Sequence, residues 1–178
     1  MKVIAETERL VLREFHAEDA EFITQLLNTE KWIKYIGNKQ VKSLEDARQY
    51  INRLAKSYNE NGFGLWCIEL KETSSPIGMC GLVKREGLDD IDIGFALMPE
   101  QENKGFAFEA AAATIKIAKE TGAEKLLAIT AKDNAGSIRL LEKLGLHFSK
   151  YLTLPNKDEE LVLMEIELMK PAGMGSIQ

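Results

Sequence analysis

IDIGFALMPEQENKGFAFEAAAATIKIAKETGAEKLLAIT, residues 91–130, decides how this chain folds. Ile91, Ile93, Phe95 and Leu97 alternate with other residues as a strand does, and Pro99 stops the alternation. Gly105 opens an alanine-rich segment that runs to Thr121, Gly122 closes it, and Leu126–Thr130 is a second short apolar run. Strand, helix and strand within about forty residues match the size of a βαβ unit. The two strands are then parallel, joined by a right-handed crossover.

The start of that helix is a candidate anion site. Gly105 and Ala107 leave one side of the first turn bare, and Lys104 adds a positive charge just ahead of it. The first amides of a helix have no intrahelical partners and point outward as donors. A phosphate or pyrophosphate suits them best. Each charge at such an end is worth only about 0.3–1 kcal/mol when exposed, so most of any affinity must come from elsewhere. The competing reading is a helix that needs small residues only to cross a sheet closely.

Outward from this unit, the pattern is equally regular. Arg9–Phe15 (RLVLREF) alternates apolar and charged residues, which predicts a strand with one wet face. Asp19 opens a helix to Asn28, and Trp32, Ile33, Tyr35 and Ile36 form an aromatic-rich turn ending at Gly37. Ser43 with Asp46 is a capping signal for a helix to about Asn59 that buries Leu44, Ala47, Tyr50, Ile51, Leu54 and Tyr58. Asn61-Gly62 breaks it. Leu65–Leu70, Ile77–Lys84 and Ile91–Leu97, with short polar links, predict an antiparallel meander. After the βαβ unit, Asn134 leads into a helix from about Gly136 to Leu144, stopped by Gly145. Phe148–Leu154 and Leu161–Met169 finish as strands. The expected order is β-α-α-β-β-β-α-β-α-β-β. That is an α/β (α+β) fold: a mixed, mostly antiparallel sheet with one splayed parallel pair and helices on both faces. Residues 1–170 read as a single domain and 171–178 as a loose tail.

Composition narrows the function. The 178 residues are 45% hydrophobic with a net charge of −5, and no Lys/Arg-rich run appears, which argues against a nucleic-acid platform. No apolar run approaches membrane-spanning length and no signal-peptide pattern is present, so a cytoplasmic protein is expected. Cys67 and Cys80 sit in apolar runs without a CxxC and read as buried thiols. There is no GxxxxGK[ST], HExxH or GxSxG motif. With His16 and His147 the only histidines, no metal centre is expected.

Four segments in order, TERLVLREF, IGMCGLV, IDIGFALMPEQENKGFAFEA and NAGSIRLLEKLGLHF, resemble the GNAT N-acetyltransferase superfamily, and within it the Rim-type ribosomal-protein-alanine acetyltransferases. The resemblance spans about residues 7–169. It implies that acetyl-CoA is the co-substrate. The amides of Asn103, Lys104, Gly105, Phe106, Ala107 and Phe108 would hold its pyrophosphate. Phe95, Ala96 and Leu97 would bind the pantetheine arm through backbone groups, and Asn134 and Ser137 would line the thioester end. Asn134 and Ser137 are also ordinary helix-capping types. Glu102 departs from the family's Gln or Arg, Asn103 stands where the Rim branch has Gly, and Leu141 stands where the family's acidic Tyr would be.

The chemistry needs a free amine. Deprotonating a lysine amine costs about 4–5 kcal/mol at pH 7, an α-amine only about 1. A weak base suffices for the latter, and the resemblance assigns it to Asp92, through water, with Asp90 in reserve. Ser137 is the candidate acid, with Tyr151 a distant alternative. Trp32 and Tyr35, with Asp158, Glu159 and Glu160, are expected to shape the acceptor site. The acceptor is a small-molecule amine or a protein N-terminus. Monomer and homodimer both remain open, as do a non-catalytic acyl-CoA-binding module and a generic phosphate-binding domain.

Overall fold

The computed structural model describes residues 1–169. The tail assigned to 171–178 lies outside the described residues. Eight strands form one sheet: β1 (Val3–Glu6), β2 (Leu10–Arg13), β3 (Leu65–Leu70), β4 (Ser75–Val83), β5 (Asp92–Leu97), β6 (Lys125–Ala131), β7 (His147–Thr153) and β8 (Glu160–Glu167). Their spatial order is β1-β2-β3-β4-β5-β6-β8-β7. Among the described residues β5 and β6 are the parallel pair, and every other neighbouring pair is antiparallel. Among the described residues five α-helices complete the fold: α1 (Ala20–Leu27), α2 (Glu30–Tyr35), α3 (Leu44–Asn61), α4 (Phe106–Glu120) and α5 (Ala135–Lys143). They pack on both faces. α4 crosses β2, β4 and β5, α5 rests against β6, and α1 packs on α3.

The local signals explain most of these bounds. Ser43 Oγ accepts the Asp46 amide at 3.1 Å while the Ser43 amide donates to Asp46 Oδ2 at 2.9 Å, so the short acid closes a full capping box. Gly62, left-handed at φ 76°, ends α3. In β4, a Cβ built on Gly78 would lie 2.3 Å from Ala96 O, so only glycine lets β5 approach this closely. The core gathers Leu10, Leu12, Ile23, Leu26, Trp66, Ile68, Met79, Leu82, Leu126 and Met164, all nearly inaccessible. Cys67 and Cys80 are buried thiols, each pushed up to about 12 by burial.

Four expectations change. β1 precedes the first expected strand; it is a four-residue edge ribbon paired with β2, with Ile4 and Ala5 packed against the core. The aromatic segment 28–37 is not a plain turn but contains helix α2, capped by Thr29, whose Oγ1 accepts the Trp32 amide at 3.3 Å. Leu44 is exposed at the first position of α3. The face of β2 that carries Arg13 is not wet: Arg13 is buried and donates to Asp19 Oδ2 and Oδ1 at 2.8 and 2.9 Å and to Glu69 Oε2 at 2.7 Å. Its guanidinium satisfies a carboxylate on each side, which is how a buried charge is tolerated. Asp19 therefore precedes α1 without capping it by its side chain.

Candidate functional site

The parallel strands part almost as soon as they meet. Asp92 lies opposite Leu127, and the Leu127 amide donates to Ile91 O at 2.9 Å. Beyond that point β5 runs on to Leu97 and β6 to Ala131 with no further pairing between them. The wedge is part of a groove of about 1330 Å³ lined by Ile93–Leu97, Ala128–Thr130, the start of α4, the start of α5 and α2. A pocket for one small ligand occupies roughly 300–1,000 Å³, so this groove has room for an elongated ligand and a second one beside it.

Strand alternation says which backbone groups face the opening. Ile91 O is turned toward β6, and the Met98 amide is turned toward β4, donating to Ile77 O at 2.9 Å. With a period of two, Phe95 and Leu97 direct their N–H and C=O into the wedge. Ala96 lines the groove but by the same alternation turns its own amide and carbonyl toward β4, unlike the expectation that it binds through them.

The loop before α4 is open. Asn103, Lys104 and Gly105 are exposed. Asn103 at φ 59° and Gly105 at φ 83° are both left-handed, the kind of backbone in which consecutive N–H groups form an anion-binding concavity. The amides of 103–108 donate to no group among the described residues; the first one engaged is Glu109, which reaches Gly105 O at 3.1 Å. Phe106 is buried and Phe108 half-exposed. The loop is held from beneath by Arg9. Its Nη1 donates to Lys104 O at 2.9 Å, its Nε to Glu109 Oε2 at 2.7 Å, and its guanidinium lies 4.5 Å from the centre of the Phe106 ring. Glu109 Oε1 accepts Thr7 Oγ1 at 2.6 Å and the Arg9 amide at 2.8 Å. Partial burial works against its ionisation, but these hydrogen bonds prevail and hold its carboxyl below the usual range. Glu102 does not stand unopposed near the amides, because it is ion-paired with Lys31 of α2.

At the base of the wedge lies Asp92, 1% exposed, with Arg85 Nη2 3.2 Å from its Oδ2. It is not the solvated strand-end charge that a surface carboxylate would be. Burial pushes its carboxyl above the usual range, and the Arg85 guanidinium offsets only part of that. Asp90 is exposed. Across the groove, Asn134 Oδ1 caps α5 by accepting the Ser137 amide at 3.3 Å, and the Ser137 hydroxyl has no partner among the described residues. Leu141 is a core side chain at 1% exposure. Trp32 and Tyr35 line the groove together with Glu159, whereas Asp158, Glu160 and Tyr151 do not. Trp32 is also a core residue, and its Nε1 is buried without a partner among the described residues. Glu160 pairs instead with Lys132, and Tyr151 packs edge-on against Phe148.

Comparison with known proteins decides the family. Residues 9–147 match the acetyltransferase (GNAT) domain. This chain belongs to the GNAT acetyltransferase family. It is 31% identical over 144 residues to the uncharacterized N-acetyltransferase YoaA of Bacillus subtilis (strain 168), covering 80% of this chain and 81% of that protein. It is 30% identical over 141 residues to the uncharacterized N-acetyltransferase YnaD of the same organism, covering 79% of this chain and 80% of that protein. Among solved structures, a GNAT-family acetyltransferase from Bacillus anthracis is 27% identical with a TM-score of 0.75, covering 94% of this chain and 98% of that one. RimL, a ribosomal L7/L12 alpha-N-protein acetyltransferase in complex with coenzyme A, shares the fold at 14% identity and a TM-score of 0.80, covering 94% of this chain and 98% of that one.

Sequence reading missed Arg9, Lys31 and Arg85 of this GNAT domain as contributors to the site. Arg9 stood inside a quoted motif, but nothing local showed that its partners lie about 100 residues away. Lys31 and Arg85 carried no signal beyond being charged residues in polar turns.

Proposed function

We propose that this protein transfers the acetyl group of acetyl-CoA to a primary amine by direct attack in a ternary complex. One observation carries the reading: unpartnered amides and an unpaired strand edge open onto the same groove as a buried carboxylate. When bound, acetyl-CoA supplies a thioester carbonyl activated toward nucleophiles. The amides of 103–108 and Lys104 hold the pyrophosphate. The N–H and C=O groups of Phe95 and Leu97 orient the pantetheine arm as a partner strand would. One of those N–H groups polarises the thioester carbonyl, an oxyanion-hole role. Asn134 orients the start of α5, and Ser137 offers the one hydroxyl there whose hydrogen-bonding capacity is open.

Asp92 accepts the amine proton through water. Its burial raises proton affinity, which strengthens it as a base, and the Arg85 guanidinium offsets part of that effect. The thiolate leaving group, with an unperturbed pKa near 8.5, needs only weak acid assistance, so the absence of a Tyr at position 141 is tolerable. The Rim-type branch and an α-amine or small-amine acceptor are the finer parts of this reading. A non-catalytic acyl-CoA-binding module has Leu141 in its favour.

Calorimetric titration with acetyl-CoA and a thiol-release assay over amines and peptides test the proposal. Binding in the micromolar range and turnover that falls at least about tenfold in Asp92→Asn are expected. Binding without turnover on any acceptor would favour the module. Absence of binding at millimolar acetyl-CoA would remove both readings.

A further inference from the structure

Three loops meet at the edge of the groove. The α2–α3 connection contributes Lys39, the β4–β5 connection contributes Arg85, and the β7–β8 connection contributes Lys157; all three line the groove. The loops touch one another. A Cβ built on Gly37 would sit 3.9 Å from Lys157 Nζ, and one built on Gly87 would sit 2.5 Å from Pro155 Cδ.

The three cations are not equivalent. Arg85 is engaged by Asp92. Lys39 and Lys157 have no carboxylate at ion-pair distance among the described residues, although Arg9, Lys31 and Lys34 elsewhere around the groove and α2 each have one. Lys39 and Lys157 are both exposed, and the Lys39 ammonium is disfavoured by local desolvation and by the charges of Lys157, Arg85 and Arg53. Lys39 and Lys157 stand without ion-pair partners, so the groove lining here, Lys39, Arg85 and Lys157 against Asp92 and Glu159, carries one cation in excess, a local field opposite in sign to the chain's net charge of −5. Glu86, Asp89, Asp90 and Asp158 stand on the same loops outside that lining.

Resting on the acetyl-transfer reading above, we propose that the acceptor is a small amine bearing an anionic group, carboxylate or phosphate, which Lys39 and Lys157 hold while the amine faces Asp92. An acceptor of this kind matches both ends of the subsite. Its amine meets a carboxylate that takes a proton, and its anion meets cations that lack one. A purely cationic polyamine would place a second positive charge beside Lys39 and Lys157 and is rejected by the same field.

The test uses the full chain, acetyl-CoA and matched pairs of acceptors: amino acids against their amides, and aminoalkyl phosphates against the corresponding amino alcohols. The anionic member of a pair is expected to have a kcat/KM at least about tenfold higher, mostly through KM. The double variant Lys39→Gln/Lys157→Gln should erase that preference by raising KM for the anionic members, and Glu159→Gln should enlarge it. The two arms identify which anion is preferred. Equal rates within every pair, a preference that survives the double variant, or acetylation confined to peptides would each overturn the proposal. If no acceptor turns over, calorimetry of the same pairs with the CoA-loaded protein decides. Tighter binding of the anionic member that depends on Lys39 and Lys157 supports the subsite while sinking the transfer reading. Equal binding sinks the subsite.

Discussion

Replacing Arg9 with Ala should loosen the loop that presents the amides of 103–108 and weaken acetyl-CoA binding. Three contacts of the Arg9 guanidinium hold the loop: with Glu109 Oε2 at 2.7 Å, with Lys104 O at 2.9 Å and with the face of Phe106 at 4.5 Å. Its side chain is 42% exposed, so solvent screening reduces the ion pair to no more than about 1 kcal/mol. The exposed cation–π contact adds about 0.5–1 kcal/mol. A net hydrogen bond to the carbonyl adds about 0.5–1.5 kcal/mol. These terms overlap because one guanidinium makes them all, so about 1.5–2 kcal/mol of loop order is at stake rather than their sum. A second effect has the same sign: without Arg9 the Glu109 carboxylate stands less compensated in the first turn of α4, close to where an anion binds. The expected result is a Kd for acetyl-CoA about 10–30-fold higher by calorimetry, with kcat for saturating co-substrate largely retained. Arg9→Lys should recover only the charge and therefore part of the loss. A Kd unchanged within twofold in Arg9→Ala, in a variant whose unfolding midpoint matches the parent, would refute the view that Arg9 orders the loop.

Three other outcomes follow from the same geometry. Lys31→Ala should weaken acetyl-CoA about two- to fivefold by leaving Glu102 uncompensated, whereas Glu102→Gln should tighten it by a similar factor and make Lys31 dispensable; both are read by calorimetry and fade at high salt. Arg85→Met should move the acid limb of the kcat/KM profile upward by about one pH unit, since the cation that opposes the burial of Asp92 is gone, the roughly 4 kcal/mol of a close pair being discounted for the partial exposure of Arg85; Asp92→Asn should abolish that limb, and a limb indifferent to both would disconnect Asp92 from the reaction. Asp19 is held below the usual carboxylate range: burial pushes it up, but hydrogen bonds from Arg13 and the His16 amide outweigh this. Its stabilising contribution is therefore complete above its unfolded pKa of about 3.9 and is lost as pH falls through the lower folded value. Denaturant unfolding from pH 7 down to pH 2 should show stability falling below about pH 4, with a flatter profile and lower stability at neutral pH in Asp19→Asn.

What the amino-acid sequence determined by itself was most of what depends on neighbours along the chain; α2, capped by Thr29, was the local element it missed. Alternation marked β5, a short apolar run marked β6, the glycines at 105 and 122 bracketed α4, Ser43 with Asp46 capped α3, and Asn134 capped α5; each is a contest between local backbone preferences that a few residues settle. The open amides at the start of α4 were readable for the same reason, since a helix always leaves its first N–H groups unpaired. Tertiary structure alone decided the charges. Arg13 resembled a wet-face residue until Asp19 and Glu69 closed over it, Glu102 is met by Lys31 reaching across from α2, and Asp92 is enclosed beside β6 and Arg85. A charge acts through space and through the dielectric around it, and both are properties of what the fold brings near, from residues 71 apart for Lys31 and Glu102 to 100 apart for Arg9 and Glu109.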